Sequence, residues 1–318
     1  MSIIKYIARR LMLLPIVVLG ATIVVFVTVR VVPGDPALAA VGFWSGREQV
    51  ELARKLLRLD QPIHVQYFLW LADVFRGDLG KSFFSYKPVS EELLRRLPVT
   101  AELSIFALIV GIVVGVPAGV ISAVKRGSLY DKTARFFGVF GFSIAEFWLG
   151  MMLVIVFAVM LPLLPPGGYV EFSVDPVRHL KGMILPSISL GLPIAAIYSR
   201  MTRSSMLEVL MQDYIRTARA KGLYEKMVIY KHALRNALIP LITILGMNIG
   251  YLMSGAVLIE TIFGLPGIGS YLYEAIISRD FPIIQGTVLV IALIFVLYKH
   301  NIQDLSSRKN CPSAHIRR

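Results

Sequence analysis

The sequence predicts an all-α membrane protein that crosses the bilayer six times, with both termini in the cytoplasm. Hydrophobic residues make up 56% of the 318 residues and charged residues only 17%, which is too little polar surface for a soluble globule of this size. The apolar residues are gathered in six segments. A helix of roughly 20 apolar residues crosses about 30 Å of hydrocarbon while satisfying its own backbone hydrogen bonds.

The six apolar segments are residues 11–29, 103–124, 136–164, 183–198, 237–259 and 282–298. The first has a basic start like a signal peptide, but its apolar core of 19 residues favours an uncleaved span. The third is long enough that we expect it to be tilted or broken near residues 141–146. The fourth and sixth are short for a span, so the sequence leaves their ends open.

Positively charged residues concentrate in alternate loops, and this sets the predicted orientation. The N-terminus, the loops after the second and fourth segments and the C-terminal tail together carry 20 Lys and Arg residues, whereas the short loops of the other side carry 3. Lys and Arg are retained on the cytoplasmic side, so we expect a multi-pass protein of the cell (inner) membrane with both termini inside. The net charge of +13 is explained by these loops without invoking nucleic acid.

A long connection, residues 33–98, is expected to be extracytoplasmic. Its nine basic residues depart from the charge trend, but loops of this length cross the membrane largely regardless of charge. Within it, QYFLWLADVF (residues 66–75) predicts either a short helix at the outer interface or a docking surface for an external partner. The predicted organisation is an anchor helix (1–32), this loop (33–98), a transmembrane core (99–300) and a cytoplasmic tail (301–318).

Motifs that would indicate an enzyme or a cofactor site fail on spacing. Residues 77–82, GDLGKS, look like the end of a phosphate-binding loop, but Phe75 stands where that loop needs its first glycine. The five histidines show no metal-ligand spacing, Cys311 has no partner for a disulfide, and no Gly-x-Ser-x-Gly motif occurs. The sequence predicts no catalytic residue, no metal site and no cofactor bound by this chain.

Two acidic residues fall in or beside apolar segments. Glu146, in IAEFWLGMM, either lines a water-filled pathway or sits at the interface where the third segment breaks. Glu260, at the outer end of the fifth segment, is expected to be interfacial.

A basic stretch, DYIRTARAKGLYEKMVIYKHALRNALIP, separates the fourth and fifth segments. From Leu207 the apolar positions Leu210, Met211, Tyr214, Ile215 and Ala218 share one helical face, and Gly222 is expected to end that helix. A second apolar and basic alternation then leads into the fifth segment. The stretch predicts either a helical hairpin on anionic headgroups or a docking element for a cytoplasmic protein.

DYIRTARAKGL followed by HALRNALIP resembles the coupling loop of binding-protein-dependent ABC importers. Their membrane subunits carry Glu-Ala-Ala, three residues and Gly; here Arg216, Thr217, Ala218 and Gly222 occupy those positions, a form typical of the dipeptide, oligopeptide and nickel branch. Further similar motifs follow in order over residues 10–295: VVPGDPA, GDLGKS, RLPVTAEL, AVKRGSLYD, FWLG, LPPGG, RSSMLEVL, IETIFGLPGIG and SRDFPIIQG. Ala145 departs from the branch, which usually has proline there, and the tail after Leu297 is unlike the usual ending.

The resemblance implies a type I ABC importer permease that forms half of a translocation pathway. The implied partners are a homologous second permease, two ABC ATPases that bind ATP and Mg²⁺, an extracytoplasmic solute-binding protein and the lipid bilayer. Within the coupling loop, residues 204–236, the residues assigned to ATPase coupling are Asp213, Arg216, Thr217, Ala218, Arg219, Ala220, Lys221, Gly222, His232, Arg235 and Asn236. The candidates for lining the pathway are Glu146, Asn248 and Tyr251.

The solute is left open by the resemblance. Peptides are favoured, while nickel, glutathione and oligosaccharides use similar permeases. A secondary carrier or channel is the alternative from another class, although a proton-coupled carrier usually has a relay of buried carboxylates or histidines rather than a single acid.

Overall fold

The computed structural model describes residues 17–28, 30, 35–42 and 46–309, and most of these residues are helical. Its α-helices are α1 Val17–Thr28, α2 Pro36–Val41, α3 Arg47–Leu56, α4 Ile63–Phe75, α5 Val89–Val124, α6 Leu129–Ser143, α7 Glu146–Leu153, α8 Pro176–Leu210, α9 Asp213–Ala220, α10 Glu225–Met227, α11 Leu234–Ala237, α12 Ile239–Phe263, α13 Ile268–Ser278 and α14 Phe281–Lys309. Two π-helical stretches, Val154–Met160 and Val228–Ala233, continue α7 and α10. Within the described ranges no strand forms, and Lys81 and Pro88 make an isolated antiparallel bridge. The all-α prediction is confirmed.

Each apolar segment of the sequence lies mostly in helix where it is described; the third also contains the non-helical residues 144–145 and 161–164. Two helices, α5 and α8, are long and apolar enough to cross a membrane by themselves, and the number rises to four if each of two bent helix pairs counts as one span. Shorter apolar helices occupy Val17–Thr28 and Phe281–Val296. A polytopic membrane protein is therefore what the structure supports, while the count of six spans stays a prediction.

The fourth apolar segment was predicted too short. Helix α8 has 35 residues and extends beyond the segment at both ends. Asp175 caps its start by accepting hydrogen bonds from the Val177 and Arg178 amides, each at 3.0 Å. Polar turns at both ends hide the length of the helix from a hydropathy count.

The third segment is broken, as expected. Helix α6 ends at Ser143, the chain is extended at Ile144 and Ala145, and α7 starts at Glu146, with an angle of 105° between the two arms. The last helix, in contrast, continues past the end of its apolar segment at residue 298 to Lys309.

Contacts within the chain divide it into two compact units. The first unit comprises the described residues within 1–99 and 266–300, and the second comprises the described residues within 100–265 and 301–309. The predicted organisation into anchor helix, extracytoplasmic loop, transmembrane core and cytoplasmic tail stays a prediction.

In the first unit, the aromatic stretch predicted between residues 66 and 75 forms helix α4 and packs against α1. The ring of Phe26 meets Tyr67 edge-on at a centroid distance of 5.2 Å, and Arg30 donates a 2.8 Å hydrogen bond to the Gln66 side chain. Because the opposite side of α4 exposes Phe68 and Phe75, both interpretations of this helix, interfacial or docking, remain predictions.

In the second unit, α5 and α8 approach each other closely along a row of glycines. A β-carbon on Gly115 would lie 2.5 Å from the carbonyl oxygen of Ala195, and one on Gly119 would lie 2.5 Å from that of Ser199. Gly111 completes a spacing of four residues, and its added β-carbon would meet Ile194 at 2.9 Å. Small residues at this spacing let helix backbones touch in membranes, and the sequence analysis overlooked this signal.

Candidate functional site

The stretch predicted to couple to a cytoplasmic partner forms a short, exposed helix on an apolar base. Helix α8 ends at Leu210, the chain is extended at Gln212, and α9 begins at Asp213. A continuous helix from Leu207 to Ala218 was therefore a wrong prediction. Met211 fitted the apolar periodicity of a continuous helix. In the structure it is exposed and lies in the turn between α8 and α9, where the chain changes direction.

The buried face of α9 is anchored in an apolar cluster, here called the loop core. Ile215 is fully buried and Ala218 nearly so. The loop core consists of Val120, Ala123, Met206, Ile215, Ala218, Val228, Ile229, Ala233 and Ala237. Since Val120 and Ala123 belong to α5 and Met206 to α8, α9 packs against the ends of the two longest apolar helices.

Gly222 ends α9 in the manner predicted from the sequence. Its φ of +79° lies in the left-handed region, which favours glycine. The Gly222 amide donates to the Arg219 carbonyl at 2.9 Å and the Leu223 amide to the Ala218 carbonyl at 3.4 Å, the pair of bonds of a Schellman motif. Nothing lies within 4 Å of a β-carbon added at Gly222, so the backbone alone imposes glycine there.

An exposed ion pair spans this turn. Arg219 donates to both carboxylate oxygens of Glu225, at 2.7 and 3.2 Å. The hydrogen bonds from Arg219 lower the pKa of Glu225, against a smaller opposing effect of burial. Two parallel bonds fix the direction in which α10 leaves the turn more firmly than a single contact would.

The exposed face of α9 and its turn is basic with apolar tips. Asp213, Arg216, Thr217, Arg219, Ala220, Lys221 and Gly222 are all exposed. Tyr224 is 84% exposed at the tip of the turn, and Tyr230 and Met227 are exposed on the helix that follows. Ala218, also assigned to coupling from the sequence, belongs to the loop core, and its role in coupling stays a prediction.

The other three coupling candidates lie on the helical return, residues 225–237. Asn236 donates a 2.7 Å hydrogen bond to the hydroxyl of Tyr214 on α9, which ties the return to the helix. Arg235 is exposed and His232 is half-buried. The structure thus brings Asn236 against α9, whereas no described contact brings His232 or Arg235 to it.

The structure gives the surroundings of two of the three candidates for lining the pathway, Glu146 and Asn248. Glu146 is the first residue of α7, directly after the break, and it is half-buried. Asn248 donates a 3.0 Å hydrogen bond to the Tyr198 hydroxyl of α8, a partner that the sequence did not suggest. The side chain of Tyr251 lies outside the described side chains.

Two polar clusters of the second unit were missed. The Asp131 side chain, 1% exposed, accepts from the guanidinium of Arg203 at 2.8 Å, from the Ser122 hydroxyl at 2.6 Å and from the Gly127 amide at 3.0 Å. Glu260, predicted to be interfacial, is 0% exposed and accepts a 2.6 Å hydrogen bond from Thr100. Arg203 lies 72 residues from Asp131 and Thr100 lies 160 residues from Glu260, so no local pattern could identify these two contacts.

Metal binding finds no support in the described ranges, where no group of three or more His, Cys, Asp or Glu side chains is arranged to hold a metal ion.

The GDLGKS motif makes a contact within the first unit. The Ser82 hydroxyl donates at 2.6 Å to Asp280, whose pKa is raised by burial.

Comparison with known proteins decides the family. Residues 115–299 match the family described as binding-protein-dependent transport system inner membrane component, and residues 3–104 match the N-terminal family of the same membrane components. The chain belongs to this family. The permease is therefore a multi-pass protein of the inner membrane and a subunit of a transport system that also comprises other components.

Individual relatives agree with this assignment. The permease is 44% identical to the dipeptide transport system permease protein of Alkalihalophilus pseudofirmus, over 92% of this chain and 94% of the relative. It is 42% identical to the dipeptide transport system permease protein of Escherichia coli K12, with the same coverage. Among solved structures it is similar to the MetNI methionine ABC transporter in an inward-facing form, with a TM-score of 0.54, 17% identity, and coverage of 68% of this chain and 95% of that one. The last likeness shows the fold of an ABC transporter permease.

Proposed function

We propose that this permease is a subunit of an ATP-driven peptide importer, that it forms half of the translocation pathway, and that α9 couples it to a cytosolic ATPase. The observation that carries the proposal is the construction of α9: an exposed, basic helix ended by Gly222 and seated on a core shared with α5 and α8. The names of the relatives, both dipeptide permeases, support peptides as the solute.

The loop core explains how a movement at the surface reaches the transmembrane helices. A partner that contacts exposed residues such as Arg216 or Tyr224 pushes on α9, and buried Ile215 transmits the push to Met206 of α8 and Val120 of α5. Close-packed cores transmit displacement because they resist compression. ATP binding by the partner would then shift the equilibrium between two conformations of the permease. The size of this shift is set by the difference in the partner's affinity for the two conformations.

The proposal assigns the ATP chemistry to other chains. The two ABC ATPases would bind ATP and Mg²⁺, and this chain would bind no cofactor. The geometry of Ser82 supports this division, since its hydroxyl is engaged by Asp280 rather than held in a glycine cradle for phosphate. A homologous second permease, an extracytoplasmic solute-binding protein and the lipid bilayer complete the proposed set of partners.

The proposed topology has six spans and cytoplasmic termini, with residues 33–98 outside and residues 204–236 inside. It is supported by the distribution of 20 Lys and Arg residues on one side against 3 in the short loops of the other. Nickel, glutathione and oligosaccharides remain candidate solutes in the same class of transporter, and a secondary carrier or channel is the alternative mechanism.

Reconstitution tests the function directly. The permease is co-expressed with its second permease, ATPases and binding protein, placed in proteoliposomes, and assayed for uptake of a labelled dipeptide, nickel, glutathione and an oligosaccharide. We expect dipeptide uptake that requires ATP. Uptake by the permease alone, driven by a proton or ion gradient, would establish a carrier instead.

A further inference from the structure

A buried histidine and a glutamate form an unusual contact at one end of the second unit. His179, near the start of α8, is 2% exposed. Its Nε2 lies 2.6 Å from Oε1 of Glu102 on α5, and its Nδ1 lies 2.7 Å from the carbonyl oxygen of Val170. The imidazole thus joins two helices and the loop between α7 and α8.

The two distances determine how many protons the pair holds. A carbonyl oxygen only accepts hydrogen bonds, so the 2.7 Å contact requires a proton on Nδ1. The 2.6 Å contact requires a second proton, between Nε2 and the carboxylate. That second proton belongs either to an imidazolium that faces a carboxylate or to a carboxylic acid that faces a neutral imidazole.

Loss of the second proton breaks one of the contacts. If the neutral imidazole keeps its proton on Nδ1, the lone pair of Nε2 faces the lone pairs of Glu102. If the proton moves to Nε2, the lone pair of Nδ1 faces the carbonyl of Val170. Neither tautomer satisfies both partners, and the imidazole has little room to find water because it is buried.

The loop that this contact holds is tied to the same unit at further points. The Gly168 amide donates a 2.7 Å hydrogen bond to the Phe263 carbonyl at the end of α12. The Tyr169 hydroxyl donates to the other oxygen of Glu102 at 3.3 Å, and the rings of Tyr169 and Phe172 stand edge-on to His179, each at 5.5 Å. The loop, residues 167–172, therefore joins Glu102 within α5 to the start of α8 and the end of α12.

The other charged groups near His179 and Glu102 are either hydrogen-bonded elsewhere or exposed to solvent. Asp175 is occupied by the first amides of α8, and Glu260 by Thr100. Burial, and next the charge of Glu102, raise the pKa of Tyr169, so its hydroxyl stays a donor. Glu171, Arg178 and Lys181 are exposed, where water screens them. Glu102 itself keeps 29% of its side chain exposed, which gives the proton a route to solvent.

We propose that His179 and Glu102 form a proton-binding site that fastens the loop of residues 167–172 to α5 and α8, and that this loop loosens when the surrounding medium becomes alkaline. Under the proposed topology that medium is the extracytoplasmic one, so the external pH sets how firmly three helices of the second unit are joined. Breaking a hydrogen bond to a charged group changes such an equilibrium by roughly tenfold or more.

The mobility of a spin label on the loop of residues 167–172 reports how firmly the loop is held, and the signal of the label itself does not depend on pH. A cysteine replaces exposed Glu171 in a chain that carries Cys311→Ser, and the assembled transporter is purified. The mobility of the label is followed by electron paramagnetic resonance from about pH 5 to about pH 10. We expect one transition, with the ratio of mobile to immobile label rising at least about tenfold on the alkaline side.

Two variants separate a shared proton from a merely structural contact. In Glu102→Gln the amide is a permanent donor to Nε2, so both contacts of the imidazole survive without the extra proton, and the label is expected to stay immobile at alkaline pH. His179→Gln removes the imidazole that shares the proton with Glu102, and the transition is expected to disappear.

A matched control uses a histidine elsewhere. His64 is exposed in α4 of the first unit, and His64→Gln is expected to keep the transition of the parent. The proposal is overturned if the parent shows no transition, if His179→Gln retains it, or if Glu102→Gln is mobile at alkaline pH. It is equally overturned if His64→Gln removes the transition.

Discussion

Substitution of Gly222 strains the backbone of the turn that follows α9, although the new side chain displaces no neighbour. The residue has φ of +79°, and nothing lies within 4 Å of an added β-carbon, so a new side chain meets no neighbour. Its cost comes from the backbone alone. An alanine in the left-handed region costs about 1 kcal/mol, and a β-branched valine costs more, of order 2 kcal/mol.

The chain has two ways to respond to that cost. It either keeps the Schellman bonds and bears the strain, or it releases them and re-aims the turn that carries Tyr224 and the Arg219–Glu225 pair. A penalty of about 2 kcal/mol corresponds to roughly a 30-fold change in the population of the correct turn. Asparagine tolerates positive φ better than other residues, so the expected order of damage is Val, then Ala, then Asn.

The assay compares dipeptide uptake and substrate-stimulated ATP hydrolysis in proteoliposomes that contain equal amounts of inserted permease. Gly222→Val is expected to lower uptake sharply and to abolish the stimulation, even where basal hydrolysis survives. Gly77→Val is the matched control, since Gly77 has φ of +81° and equally open surroundings but lies in the first unit. Lys226→Ala should have little effect, because it removes one exposed charge among many. Normal uptake by Gly222→Val, or an equal loss in Gly77→Val, would refute the coupling role.

Three further outcomes are expected. A cysteine at Ser85 should react with an impermeant thiol reagent in intact cells and one at Lys226 should not; the reverse labelling would contradict the orientation. Glu146→Gln should alter uptake while leaving assembly with the ATPases intact if Glu146 lines the pathway, and unchanged uptake would place it at the interface instead. Gly115→Leu should lower the free energy of unfolding of the purified permease by about 1–3 kcal/mol, because its β-carbon would lie 2.5 Å from the Ala195 carbonyl oxygen. A β-carbon at Gly138 meets nothing within 4 Å, so Gly138→Leu should be tolerated. Equal melting temperatures of the two variants would argue against close α5–α8 packing.

Features encoded by a short stretch of sequence were predictable. Gly222 as the end of α9 and Ile215 on its buried face followed from composition and helical period, and the structure confirms both. The spacing of four residues between the glycines of α5 is also visible in the sequence. The sequence does not show, however, that α8 is the helix that packs against these glycines.

Features that depend on distant partners were not predictable. Glu260 looked interfacial because it stands at the end of an apolar segment, yet it is buried against Thr100, 160 residues away. The turn at Met211 was hidden because that residue continues the apolar spacing. Tertiary packing overrides a local pattern at such points, and the Glu102–His179 contact, across 77 residues, is another example.

Cross-linking at the tip of the turn tests the coupling proposal most directly. Tyr224 is 84% exposed beside Gly222, and Tyr86 is 76% exposed in the part of the chain predicted to be extracytoplasmic, so Tyr224→Cys and Tyr86→Cys form a matched pair. In the assembled transporter, with Cys311→Ser in both chains, a short reagent with one thiol-reactive and one photoreactive end should join Tyr224→Cys to an ATPase subunit, with a yield that changes on addition of ATP. The same reagent should leave Tyr86→Cys unlinked to the ATPase. An ATPase cross-link at Tyr86→Cys and none at Tyr224→Cys would contradict the account.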